Sequence, residues 1–141
     1  MSDTEFIRYE AGKKMNRVEL KEKLDSVMSQ LLCEKKMITP LEVLLGAGIL
    51  SPKDVEDWRF GRVPYLEKVC RINLTALSFI MKEIKNYADG AGLKPSPTGY
   101  VRWGTRGKKM PLRFSKSGDA KLEAAYATHY VARVQRTANG E

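Results

Sequence analysis

Residues 16–34 read NRVELKEKLDSVMSQLLCE, and this stretch sets the helical character of the chain. Asn16 followed by Glu19 is typical of a capping box, in which each of the two side chains accepts from the other residue's backbone N–H. Apolar residues then recur every three or four positions, which is the period of an amphipathic helix. They are Leu20, Leu24, Val27, Met28, Leu31 and Leu32. The pattern predicts a helix from about Arg17 to Glu34.

Two similar helix starts follow at a short interval. Thr39-Pro40 and Ser51-Pro52 each place a capping hydroxyl directly before a proline, an arrangement that favours the first turn of a helix. We therefore expect one short helix from Pro40, ended by glycines 46 and 48, and a second from Pro52, ended by Gly61.

Two more helices are predicted before the chain changes character. Val63-Pro64 can open a third short helix, and Asn73 is placed to cap a longer one that extends to about Ile84. Glycines 90 and 92 and prolines 95 and 97 then break helical order. About five helices are therefore expected within residues 1–93.

After Tyr100 the apolar period becomes two, which predicts β-structure. We expect a hairpin whose core face carries Val101, Trp103, Leu112 and Phe114, with Tyr100, Arg102 and Arg113 on the other face. A final helix, capped by Ser117 or Asp119, is expected to present Leu122, Ala125, Tyr126, His129 and Tyr130 on one side. Residues 5–9 alternate loosely and could add a third strand. The predicted fold class is α+β and predominantly helical.

Length and composition favour one domain spanning residues 1–141. Within it, residues 1–93 would be mainly helical, residues 94–134 would hold the hairpin and last helix, and residues 135–141 would form a flexible tail. The first ten residues lack the pattern of a secretion signal, and no apolar run predicts a membrane span. Cys33 and Cys70 lie inside predicted helices, as expected of free thiols in the cytoplasm.

The positive charge is concentrated in the second part of the chain. Residues 1–57 hold nine basic and eleven acidic residues, a net of −2, whereas residues 58–141 hold sixteen and six, a net of +10. Residues 94–118, called the basic segment below, contain seven Lys or Arg and no acid. This asymmetry favours a polyanionic partner such as DNA or RNA.

The basic segment supplies the predicted nucleic-acid-binding residues. Five of its cations are expected to contact phosphates without reading base sequence, Lys116 is expected to assist, and Tyr100 could stack on an unpaired base. The five are Arg102, Arg106, Lys108, Lys109 and Arg113. Lysines and arginines also protect exposed sheet edges from aggregation, so the same pattern is compatible with a hairpin that binds nothing.

Two helices joined by a glycine turn within residues 40–60 resemble a helix-turn-helix, and Trp58-x-x-Gly61-x-x-Pro64 resembles the second half of phage-repressor-type DNA-binding domains. The resemblance covers about thirty residues and implies insertion of the second helix into a major groove. That helix carries Asp54 and Asp57, which would meet phosphates unfavourably. We therefore favour phosphate contacts by the basic segment over groove recognition.

Catalysis, metal binding and a cofactor have little support in the sequence. One histidine and two cysteines cannot complete a four-ligand zinc site without a carboxylate, and a pairing of His129 with Cys70 or Cys33 lacks a loop that would present a thiolate. The leading hypothesis is a non-enzymatic nucleic-acid-binding protein. The main alternative is a protein-interaction or structural module without a nucleic-acid ligand, such as a homodimer that covers the apolar stripe of the first helix.

Overall fold

A computed structural model describes the backbone of residues 6–9 and 13–133 and the side chains of residues 16–133. The fold is α+β and predominantly helical, as predicted. In chain order the elements are β1 (Phe6–Tyr9), β2 (Lys13–Asn16), α1 (Arg17–Lys35), β3 (Met37–Ile38), α2 (Pro40–Gly46), α3 (Pro52–Arg59), a 3₁₀ turn (Leu66–Val69), α4 (Leu74–Gly90), β4 (Lys94–Pro97), α5 (Ala120–Ala127) and β5 (Thr128–Val131). The tail predicted for residues 135–141 lies outside the described residues.

The helix starts follow the capping signals. Asn16 and Glu19 form the predicted capping box of α1, and the side chains of Thr39, Ser51 and Asn73 each accept a backbone N–H at the start of their helices. These bonds satisfy donors that have no partner inside the helix. The third short helix differs from the prediction, because it is a 3₁₀ turn that begins at Leu66, two residues after the proline.

A three-stranded antiparallel sheet has the order β3-β5-β4, so β5 is its central strand. Pro95 and Pro97 lie on the edge strand β4, where a missing N–H is tolerated. This sheet corrects the prediction for the last helix. Asp119 caps α5 as expected, but the helix ends at Ala127, and His129 and Tyr130 lie in β5, paired with β4 and β3.

The predicted basic hairpin contains a single isolated antiparallel bridge, between Val101 and Pro111. One bridge does not impose the alternation of a strand, and two predicted orientations are wrong. Trp103 is 43% exposed and does not belong to the core, while Tyr100 packs inward against the core aromatic rings. The strand predicted for residues 5–9 is present as β1, and it pairs with β2.

The core lies between the helices and extends beneath the basic segment. Leu20, Leu24 and Met28 of α1 are fully buried within the chain's own core, so these three members of its apolar stripe are not available to a second copy. Trp58 and Tyr126 are the largest fully buried side chains, and Phe114 lies between them with ring centroids 5.0 and 5.3 Å away. Among the described helices, none is long and apolar enough to cross a membrane.

Candidate nucleic-acid interface

The loop between Tyr100 and Leu112 is fixed at its base by backbone hydrogen bonds. The N–H of Arg102 donates to the carbonyl of Met110 at 2.8 Å, and the N–H of Leu112 donates to the carbonyl of Tyr100 at 2.9 Å. The N–H of Trp103 donates to the carbonyl of Arg59 at 2.7 Å, which ties the loop to the last residue of α3. Residues 104–109, called the tip below, project beyond these bonds.

The tip holds three cations that have no partner among the described residues. Arg106, Lys108 and Lys109 are exposed, and none makes an ion pair or a side-chain hydrogen bond to any described residue. The loop is closed locally by Thr105, whose hydroxyl donates to the carbonyl of Lys108 at 2.7 Å. Like charges held close together without acids repel each other, and an anionic ligand would relieve that repulsion.

Several other cations on the surface pair with acids. Lys53 and Arg62 both contact Asp57 of α3, at 2.8 and 3.0 Å, and Arg71 pairs with Asp54 at 2.5 Å. The hydrogen bond from Lys53, followed by that from Arg62, lowers the pKa of Asp57. The acids of α3 are thus occupied by ion pairs outside the tip.

Arg102 and Arg113 have structural partners on the loop's flanks. The Nε of Arg102 donates to the carbonyl of Phe60 at 3.1 Å, just after the end of α3. Arg113 donates through Nε to the carbonyl of Ser115 at 2.8 Å and through Nη2 to the carbonyl of Lys116. Each guanidinium group is thus partly used to hold the backbone. Of the five predicted phosphate contacts, three therefore have no partner in the part of the chain that the structure describes.

The two assisting residues lie away from the tip. The Tyr100 hydroxyl forms a hydrogen bond of 3.0 Å with His129 Nε2. The centroid of its ring lies 5.4 Å from that of Phe114 and 5.5 Å from that of Trp58. Burial raises the pKa of its phenol. The ring is partly buried, and these contacts occupy part of its surface. Lys116 is exposed near a separate groove, and its side chain has no partner among the described residues.

Trp103 is the aromatic residue that sequence reasoning did not assign to the site. It is the only aromatic side chain in residues 16–133 that counts as exposed, and it lies directly before the tip. The Cζ atom of Arg59 is 4.5 Å from its ring centroid, and the ring of Phe60 meets it at 5.5 Å and 77°. The available signal was a tryptophan inside an acid-free segment, which the alternation placed on the core face.

Arg59 is itself unusual, because its Nε is buried without a hydrogen-bond partner among the described residues. Its guanidinium lies between two aromatic rings, 4.5 Å from the centroid of Trp103 and 5.2 Å from that of Tyr100. Burial lowers its pKa, but an arginine remains charged at any physiological pH. Contact with both rings compensates in part through cation–π attraction.

Carboxylates secure the chain immediately after the loop. Glu123 of α5 accepts from the backbone N–H groups of Phe114 and Ser115 and from the Ser115 hydroxyl, at 3.0, 2.7 and 2.5 Å. Glu67 accepts from the N–H of Lys116 at 3.0 Å and from the Tyr126 hydroxyl at 2.8 Å. The loop is therefore attached to a part of the molecule that is held by mostly part-buried hydrogen bonds.

No hydrogen bond among the described residues joins His129 to either cysteine considered for catalysis. His129 contacts Tyr100, and burial lowers its pKa. The Cys70 thiol donates to the carbonyl of Leu66 at 3.6 Å, and burial raises its pKa to about 12. Within the described residues, no group of three or more His, Cys, Asp or Glu is arranged to hold a metal ion.

An apolar groove of about 470 Å³ lies between α4 and α5, away from the tip. Leu74, Leu77 and Met81 line it from α4, and Leu122 lines it from α5. Leu74 is 56% exposed. The groove is a second surface that could take part in binding.

Comparisons with protein-family models, with curated proteins and with solved structures found no match to this chain. What the tip binds must therefore be inferred from its own chemistry.

Proposed function

We propose that this protein is a non-enzymatic nucleic-acid-binding protein that contacts phosphates through the tip, without reading base sequence. The observation that carries the proposal is a set of three cations, on a loop with no acid, that pair with none of the described residues. Cations held in this way can replace the counterions that surround a phosphate backbone, and the release of those ions drives binding. We also place the protein in the cytoplasm, because its two cysteines are free thiols.

The salt dependence of binding tests the proposal. Each phosphate neutralised on duplex DNA contributes about −0.9 to the slope of log affinity against log salt, so the three tip cations should contribute about −2.7. Fluorescence anisotropy with a labelled 20-base-pair DNA, over roughly 25 to 200 mM salt, measures this slope. The triple variant Arg106→Glu, Lys108→Glu and Lys109→Glu should lose that part of the slope and most of the affinity.

A matched control separates the tip from the net charge of the chain. Lys82, Lys94 and Lys121 are exposed lysines on α4, β4 and α5 that make no ion pair with a described residue. Their simultaneous change to Glu alters the net charge by the same amount as the tip variant. We expect the control to keep its slope. Equal loss in both variants would refute the tip as the site, and an equal affinity for poly-glutamate would point to an acidic protein as the partner.

The alternative function, a protein-interaction module without a nucleic-acid ligand, is favoured by the exposure of Leu74 in the apolar groove. On this alternative the groove is covered by a second copy of the chain. Light scattering would then show a dimer whose mass does not change with salt, and Leu74→Glu would produce monomers. If the unchanged chain and the Leu74→Glu variant are both monomers, this alternative loses its support.

A further inference from the structure

Trp103 combines exposure with a fixed orientation. A large indole is usually buried, yet 43% of this one is open to solvent. Its backbone N–H is bonded to α3, and its ring contacts Phe60 and the guanidinium of Arg59. Because these contacts come from a helix end, the ring is held in place before any ligand arrives. Little conformational entropy would be lost when another flat group packs on its open side.

The position of the ring relative to the tip suggests what that flat group is. Trp103 immediately precedes the tip, whose cations follow at Arg106, Lys108 and Lys109. Proteins that bind single strands combine a cationic path for the backbone with an aromatic side chain on which a base stacks. A duplex keeps its bases stacked inside the helix, where a side chain on the protein surface cannot reach their faces. Phosphate contacts alone would not distinguish the two forms.

We infer that Trp103 is a stacking platform for an unpaired base and that the ligand of the tip is single-stranded nucleic acid. This inference rests on the proposed function and makes it more specific. Arg59 and Phe60 act as positioning residues, since they touch the indole and hold its plane. The tip cations supply attraction to the phosphates, and Trp103 supplies the preference for an unpaired strand.

Replacement of the indole tests the platform. The probes are a labelled 12-mer of deoxythymidine and a 12-base-pair duplex, measured on the full chain at the same low salt. Trp103→Leu should weaken binding to the single strand by about 5- to 150-fold, which is the range of one lost base stack. Binding to the duplex should change by less than about twofold, and Trp103→Phe should recover part of the loss for the single strand.

Met110 provides the matched control. It is a 41% exposed apolar side chain in the same loop, and its backbone carbonyl accepts the N–H of Arg102. Met110→Ala removes exposed apolar surface from the same loop but no aromatic ring. The affinities for the single strand and for the duplex should therefore both be retained. A loss in Met110→Ala equal to that in Trp103→Leu would overturn the inference, because it would show that any apolar group in the loop is sufficient.

A measurement on the unchanged chain covers the case in which a variant fails to fold. Trp58 is fully buried, so quenching of tryptophan fluorescence by acrylamide reports mainly on Trp103. Addition of the 12-mer should protect that fluorescence, whereas the duplex should not. Equal protection by both, or none by the 12-mer, would overturn the inference.

The outcomes also separate this inference from the proposed function. If duplex and single strand bind equally and with the expected salt slope, and Trp103→Leu has no effect, the platform is wrong and phosphate binding by the tip stands. If neither probe binds to the unchanged chain at low salt, both proposals are wrong.

Discussion

Removal of the Glu123 carboxylate should destabilise the chain more than a typical surface substitution does. Its two oxygens accept from the N–H groups of Phe114 and Ser115 and from the Ser115 hydroxyl. Phe114 is 3% exposed and Ser115 is 0% exposed, so neither N–H can turn to bulk water. A buried donor left without an acceptor costs about 1–3 kcal/mol.

The expected magnitude follows from the number of stranded donors. Two backbone N–H groups lose their acceptor in Glu123→Ala, which gives about 2–6 kcal/mol. Glu123 itself is only half-buried, so water entering its place should offset part of this cost, and we expect about 2–4 kcal/mol. Glu123→Gln keeps one acceptor oxygen and should cost about half as much. The Ser115 hydroxyl can rotate to another acceptor and is not counted.

Urea unfolding followed by circular dichroism measures the free energy of unfolding for each variant. Lys121→Ala, on the exposed side of the same helix α5, is the control and should stay within about 0.5 kcal/mol of the unchanged chain. The reasoning is refuted if Glu123→Ala is no less stable than this control. A changed urea dependence, with an unchanged midpoint, would likewise argue against a simple loss of hydrogen bonds.

Two further predictions follow from pKa values. Burial raises the pKa of Cys70 to about 12, so at about pH 8 roughly one Cys70 thiol in ten thousand is ionised. Cys33 is exposed. A thiol reagent should therefore label Cys33 rapidly and Cys70 only when the chain unfolds. Cys33→Ser should remove the rapid phase; its persistence would contradict the assignment. Burial lowers the pKa of His129, and the charge of Glu42 raises it by a smaller amount. Below about pH 6.5 the unfolded chain therefore binds a proton at His129 more readily than the folded chain does. The contribution of His129 to the free energy of unfolding is complete above that pH and is lost as the pH falls. Urea midpoints at about pH 7.5 and 5.5 should differ less in His129→Gln than in the unchanged chain, and an equal difference would show that His129 is not responsible.

The helix starts could be predicted from sequence because their causes are local. Asn16, Thr39, Ser51 and Asn73 each bond a backbone group three residues later, and nothing distant decides the outcome. The state of residues 128–131 depends instead on pairing with β3 and β4, far away in the chain. The spacing of their apolar residues is also compatible with a helix, and this pattern alone does not show that two distant strands pair with them.

The orientations of Tyr100 and Trp103 could not be predicted for a related reason. A period of two fixes side-chain directions only where a strand is paired along its length, and here a single bridge holds the loop. Contacts with α3, about forty positions earlier, decide instead that Trp103 packs on the helix end and Tyr100 turns inward. The exposure of the tip cations was accessible from sequence, because a segment without acids offers them no local partner.

The tip contributes no buried side chain, whereas its two flanks are bonded to α3 and to the chain after it. The fold therefore depends little on the side chains of the tip, whereas flanking residues such as Trp103 are bonded to the rest of the molecule. Substitutions at Arg106, Lys108 and Lys109 can alter the charge of the tip with little effect on the fold, provided that the flanking bonds remain. Gly104 and Gly107 are more restricted, because their φ angles of 84° and 66° disfavour residues other than glycine. Such a loop is free to diversify among relatives and offers protein engineers a position where a different binding sequence could be exchanged for the natural one.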